Sequence, residues 1–128
     1  MLADSKFPVN RKAIRERVGI VLERMGVNGE ILVSVMVVGD RKMKAINKKY
    51  RKLDKTTDVL SFPTSDPSQP MEEGGFAQAP DLGLHLGDIV VSYPQAVVEA
   101  SQKNRLLDDV VGDLVEHGLM HLLGYHHD

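Results

Sequence analysis

Four of the five histidines in the chain lie within its last twelve residues, in the stretch EHGLMHLLGYHHD that runs from Glu116 to Asp128. His117 and His121 are four positions apart, so on a helix they stand one turn above the other on a single face. Gly124 is placed to end that helix and turn the chain, which would return His127 toward the same point. Three neutral imidazoles suit Zn²⁺, leaving a fourth tetrahedral position for water and lowering the pKa of that water to about 7. Because none of the three ligands is charged, the site would keep the full +2 of the ion and favour an anionic substrate such as a phosphodiester. An isolated buried histidine is usually just a hydrogen-bonded core residue. Three at ligand spacing around a helix-ending glycine favour a metal instead. His126 competes with His127 for the third ligand position, and spacing favours His127.

The pattern H-x-x-x-H-x-x-G-x-x-H agrees at every histidine and at the glycine with the longer zinc-protease signature H-E-x-x-H-x-x-G-x-x-H. It departs where those proteases carry their general base, because this chain has Gly118 there. Glu116 is a poor substitute, since neighbouring helical residues project about 100° apart and its carboxylate should point elsewhere.

A second candidate is electrostatic. Residues 1–55 carry 14 Lys/Arg against 6 Asp/Glu, whereas residues 56–128 carry 2 against 12, so the overall net charge of −2 conceals two opposite fields. Eight of the 16 basic residues fall between Arg41 and Lys55. A charge run is most often a solvated helix face. This one has the density of a phosphate-contacting surface, with Lys44, Lys48, Lys49, Lys52 and Lys55 as the residues expected to track a nucleic-acid backbone without reading bases. Aromatic residues make up 5% of the chain and Trp is absent, so extensive base stacking is not indicated.

The elements that must position these groups follow from periodicity. Asn10 is placed to cap a helix whose apolar positions, Ile14, Val18, Val21, Leu22 and Met25, recur at helical spacing up to Gly26. Residues 31–38, ILVSVMVV, form a nearly continuous β-branched run, which predicts a central strand covered on both faces. Gly39-Asp40 opens a second helix that turns Met43, Ile46 and Tyr50 inward and its lysines outward. Asp58–Phe62 and Leu86–Ser92 read as short strands. The segment 63–83 between them holds four of the six prolines with Gly74, Gly75 and Gly83, and reads as a long loop of the functional or disordered kind. Ser92 with Pro94 begins a third helix, and a fourth runs from about Asp108 to Gly124 with acidic residues in its first turn. Few strands among many helices predict an α+β fold, one small mixed sheet covered by helices.

Composition narrows the class further. A chain of 128 residues with 42% hydrophobic and 27% charged residues is expected to form one globular domain over residues 1–128. With no cysteine, a disulfide scaffold, a thiolate metal site and a thiol nucleophile are excluded. No apolar run approaches the ~18 residues of a membrane span. The first residues lack a signal-like apolar core, and a cytoplasmic location is expected.

Taken together, HGLMHLLGYHH resembles the H-G-x-L-H-L-x-G-Y-D-H signature of the YbeY family of metal-dependent endoribonucleases. Tyr50-Arg51 followed by Thr57-Asp58-Val59-Leu60-Ser61-Phe62-Pro63 is similar to the family's Y-R and T-D-V-L-S-F-P blocks, and Leu86-Gly87-Asp88-Ile89 to its L-G-D-I strand. The resemblance implies a zincin-like α+β metal-hydrolase fold and one Zn²⁺ held by His117, His121 and His127. It also implies that Arg51 is the functional arginine. The substrate it implies is single-stranded RNA, with a role in maturing the 3′ end of the small-subunit (16S) ribosomal RNA and in ribosome quality control. The small ribosomal subunit or its assembly factors would be partners. On this reading water or an RNA 2′-hydroxyl attacks a phosphodiester, while the ion and Arg51 share the developing charge. Thr57, Asp58 and Ser61 are candidates to line the site. Two positions depart from the pattern. Met120 replaces leucine with little change in volume, and His126 stands where the family has aspartate. The family pattern also continues past the position of Asp128. Two rival readings are a ribosome-assembly factor with a purely structural metal, and a zinc peptidase, against which Gly118 argues.

Overall fold

Residues 2–3, 7–27, 31–63 and 84–124 are described by the structure, a computed structural model, with the backbone alone at residues 2, 3, 84 and 85. The first helix, α1 (Arg11–Arg24), begins where Asn10 accepts a hydrogen bond from the Ala13 amide at 3.0 Å, and it ends at Gly26 with φ +74°. The remaining helices are α2 (Asp40–Arg51), α3 (Tyr93–Lys103) and α4 (Leu107–Leu122). As expected, Ser92 caps α3. Acidic Asp108 and Asp109 occupy the first turn of α4, the end at which the helix dipole favours negative charge.

The strands are β1 (Leu2–Ala3), β2 (Ile31–Val38), β3 (Val59–Pro63) and β4 (Leu84–Ser92). They form one mixed sheet in the order β1-β2-β4-β3, with β1 and β4 parallel to β2 and β3 antiparallel to β4. The α+β class and the central place of β2 agree with the sequence reading. Two residues carry no periodicity, so β1 was beyond it. Pro63 extends β3 one residue beyond the expected Phe62 and forms its last residue, opposite Gly87. Its missing N–H is tolerated there because β3 is an edge strand.

Alternation along the strands divides the core. One face carries Val35, Ile89 and Val91 against α1, α3 and α4, whose buried contributions include Ile14, Val21, Ala96, Val111, Leu114 and Leu119. The other carries Val38, Phe62 and Val90 against Met43 of α2, with Ile46 and Tyr50 partly buried beside it. Asp88 lies opposite Ser34 of β2 and Phe62 of β3 and is only 2% exposed. Burial pushes its carboxyl up to about 7, against the opposing effect of a hydrogen bond with Ser34.

Two glycines set the seat of α4. The β2–β4 register shifts between Leu32 and Val33, which face His85 and Gly87, so β4 carries an extra residue at Leu86. Just after this bulge, a β-carbon on Gly87 would lie 2.6 Å from the Phe62 carbonyl oxygen and 2.7 Å from Leu122 Cδ2. The last turn of α4 therefore rests directly on the strand backbone.

Candidate active site

Gly118 faces the sheet from α4. A β-carbon there would stand 2.8 Å from Ile89 Cγ2 and 3.5 Å from Val59 Cγ2. At about 100° per residue, His117 and His121 then project from the same flank of the helix, about 100° and 60° round from Gly118, while Glu116 projects from the opposite side. The contacts agree. The two imidazole rings lie 4.7 Å apart, with His117 exposed and His121 half-buried. Glu116 turns to α1, where its two oxygens accept from Arg17 at 3.0 Å and Arg24 at 2.9 Å. It is thus removed from the histidines, as the helical angle required.

The facing wall begins at the end of α2. Arg51, the last residue of that helix, donates from Nη2 to the Ser61 carbonyl at 2.9 Å, and its guanidinium carbon lies 5.4 Å from the centre of the Phe62 ring. Lys52 then takes a left-handed conformation, φ 62°, which reverses the chain. The amides of Lys52 and Leu53 close this turn on the carbonyls of Lys48 and Asn47. The loop that follows is tied down in several places. Asn47 Nδ2 donates to the Lys55 carbonyl at 2.9 Å, and Thr56 donates its hydroxyl to Asp40 Oδ1 at 3.0 Å. The same Asp40 oxygen accepts from Ser92 and Gln95, so one carboxylate joins the loop to the start of α3. Asp58 Oδ1 accepts from the Val59 amide at 2.8 Å, and the Asp58 carbonyl from the Ser92 amide at 2.8 Å.

Between these walls lies a cleft of about 400 Å³. Arg51, Lys55, Thr57, Asp58 and Ser61 line it from one side and His117 and His121 from the other, over a floor that includes Val59 and Gly118. Residues far apart in sequence, Arg51 and the helical histidines, thus share one cavity. Lys55 is the only member of the expected lysine set in its lining. Lys44, Lys48, Lys49 and Lys52 are exposed outside it, with Lys44 Nζ 3.9 Å from an Asp54 oxygen and Lys49 Nζ 5.2 Å from the centre of the Tyr50 ring. His126 and His127 fall outside the described residues.

The donor set fits a divalent metal. His117 and His121 offer imidazole nitrogens from adjacent turns of one helix, with His121 Nε2 buried. His127, the residue expected to complete the set, lies outside the described residues, and no cluster of three His, Cys, Asp or Glu occurs among those described.

Two further cleft residues escaped the sequence reading. Asn47 is 2% exposed and carries the loop clamp just described. Its signal was a polar amide on the inward face of α2, one position after Ile46 and four after Met43, where burial demands a partner. Leu53 lines the cleft while remaining 47% exposed. It gave no signal, because it follows the helix as a lone leucine within a basic run.

Comparison with known proteins agrees with this arrangement. The family model described as Endoribonuclease YbeY matches residues 3–128. The chain is 36% identical over 127 residues to the Endoribonuclease YbeY of Anaeromyxobacter sp., covering 97% of this chain and 59% of that one. It is 36% identical over 123 residues to the Endoribonuclease YbeY of Aquifex aeolicus, covering 96% and 73%. The solution structure of a Thermotoga maritima protein superposes with a TM-score of 0.58 at 25% identity, over 99% of this chain and 73% of that one. The chain thus spans about three fifths to three quarters of the length of these relatives. With the family model matched along nearly the whole sequence, and a histidine-bearing helix facing an arginine across a cleft, the chain belongs to the YbeY family.

Proposed function

We propose that the protein is a Zn²⁺-dependent endoribonuclease that cuts single-stranded RNA. One observation carries the reading. Arg51 and the His117–His121 pair, 66 positions apart at their nearest, line the same cleft from facing sides. Its support from relatives is that those matched along the chain bear the name endoribonuclease.

His117 and His121, joined by His127, would hold the ion. When bound, Zn²⁺ supplies Lewis-acid charge at the scissile phosphate and acidifies water to a pKa of about 7. The chain's own groups orient the substrate. Arg51 spends one guanidinium nitrogen on the Ser61 carbonyl and keeps the rest of its planar donor fork for phosphate oxygens, where charge grows in the transition state. Lys55 adds a point charge at the same wall. The exposed lysines of α2 and its cap extend a positive path along which a strand can lie. Gly118 argues against peptide hydrolysis, since a glutamate could enter only by displacing α4 from Ile89.

The proposal extends, on the family resemblance, to maturation of the 3′ end of the small-subunit ribosomal RNA and to ribosome quality control. It places the protein in the cytoplasm beside that subunit. No helix among the described residues is long and apolar enough to cross a membrane.

The test is metal analysis together with cleavage of single-stranded RNA by the wild type, His121→Ala and Arg51→Ala. Loss of metal and cleavage in the first variant, with loss of cleavage alone in the second, is expected. Equal cleavage by all three proteins would overturn the nuclease reading. Loss of only metal and thermal stability in His121→Ala would favour an assembly factor with a structural ion.

A further inference from the structure

Among the described residues five large hydrophobics are strongly exposed, Ile20, Leu53, Val97, Val98 and Leu106, and of these Leu53 alone lines the cleft. An isolated exposed leucine is ordinary on a protein surface. This one is placed in an unusual way. It follows Lys52, a non-glycine residue held in the left-handed region, a conformation that is sparsely populated because the β-carbon crowds the backbone. In such helix ends the residue after the left-handed one commonly packs back onto the last helical turn, yet Leu53 keeps 47% of its surface open. Its position is nonetheless fixed. Its amide donates to the Asn47 carbonyl at 3.3 Å, and the Asn47 side chain clamps the Lys55 carbonyl two residues on. An apolar side chain is thus held in a cleft whose neighbouring groups, Arg51 and Lys55, are cationic.

A strand bound by its phosphates to those cations must put its bases somewhere. A single-stranded base exposes two flat apolar faces, and covering one removes apolar surface from water on both partners. The Arg51 guanidinium, a plane on which a base can also stack, is engaged by the Ser61 carbonyl and lies 5.4 Å from the centre of the Phe62 ring, and among the described residues lining the cleft no Phe, Tyr or Trp is found. We propose that Leu53 is the apolar platform on which an unstacked nucleobase of the bound RNA rests, making it a specificity residue that requires the strand to be single and to carry a base. The inference depends on the ribonuclease reading above and deepens it, since paired bases within a duplex have no face to offer.

The test compares binding of a single-stranded RNA hexamer with binding of a fully abasic ribose-phosphate strand of the same length, using the whole chain in its metal-bound form. Wild type, Leu53→Ala and Leu53→Met are measured at one salt concentration, alongside cleavage of the hexamer. The expected result is that Leu53→Ala weakens the base-bearing strand about fivefold, the low end of the range for a base stacked on an aromatic side chain, since leucine offers a smaller apolar face. It should leave the abasic strand unchanged, and Leu53→Met should restore binding. Equal effects of Leu53→Ala on both strands, or an effect on neither, overturn the platform while cleavage by the wild type leaves the nuclease reading standing. Absence of both binding and cleavage in the wild type would overturn the two together.

Discussion

Gly118 of α4 and Ile89 of β4 meet without a side chain between them, at a distance that would leave a β-carbon only 2.8 Å from Ile89 Cγ2. Four residues further along the helix the relationship is inverted, for there Leu122 rests on Gly87 of the strand. Glycine on the helix receives an isoleucine, and glycine on the strand receives a leucine. The pair of contacts fixes the height and rotation of the helix, and so the level at which His117 and His121 stand over the cleft.

Substitution at this contact should therefore be costly despite improving the helix. Gly118→Ala gains about 1 kcal/mol of helix propensity, but it drives a methyl group into a fully buried isoleucine, which costs roughly 1–3 kcal/mol. We expect a net loss of about 1 kcal/mol in urea unfolding, with weakened metal retention as the helix lifts. Ile89→Ala alone should cost about 2–5 kcal/mol through its cavity. In the double variant the added methyl occupies part of that cavity, so the two costs should sum to more than the double variant shows. Strict additivity in this cycle would mean that the two residues do not press on each other.

Asp88 makes stability depend on pH in the direction opposite to that of a salt-bridged carboxylate. Its folded-state pKa is raised from 3.8 to about 7, so between these values the folded chain keeps a proton that the unfolded chain has released. Stability falls as pH rises through this window and levels off above it, by an amount on the order of 4 kcal/mol. Asp88→Asn has no proton to lose. Its stability relative to wild type should rise from pH 4 to pH 7 and remain constant above, as measured by denaturant midpoints across that range. A wild-type–variant difference independent of pH would show that the carboxyl is not held protonated by burial.

Much of this site could be read from residue spacing, and the unread part has a common cause. The His117–His121 pair was legible because a helix repeats every 3.6 residues, and the absence of a base at Gly118 was legible because a named position was empty. The reason for that glycine was not, since Ile89 lies 29 positions away and reaches it only through the packing of α4 on β4. Arg51 stood out only through a family block, because nothing local distinguishes it from the lysines around it. Its place opposite the histidines depends on β3 pairing antiparallel with β4 beneath α4. Asp40 was read as a helix opener, yet it also secures the loop at Thr56. Local pattern reports what a residue does for its own element. Which elements share a cleft is decided by contacts between them.

Arg51→Lys is expected to be far from conservative. The guanidinium donates to the Ser61 carbonyl and lies over the Phe62 ring while retaining further donors. A lysine ammonium keeps the charge but lacks the planar fork that does both at once. Cleavage of single-stranded RNA should fall by about 10²-fold in kcat, in the range seen when one donor to a developing oxyanion is removed, with KM changing much less. A variant that loses KM and leaves kcat intact would make Arg51 a binding residue that does not distinguish the transition state.

The lysines should separate by salt dependence. Each phosphate neutralised on a single strand contributes about −0.7 to the slope of log K against log salt. Lys55 lines the cleft, so Lys55→Ala should reduce that slope by about one such increment. Lys44 lies outside it with its ammonium 3.9 Å from an Asp54 oxygen, both side chains more than half exposed. An exposed pair of this kind is worth little to stability, but it offsets part of the lysine's field. Lys44→Ala should therefore change the slope by a smaller fraction than Lys55→Ala, and Asp54→Asn should strengthen RNA binding at low salt with the gain lost at high salt. Equal slopes for the two lysine variants would mean that the bound strand runs along the outer face of α2 as closely as it enters the cleft. The cleft lining would then no longer set the path of the RNA.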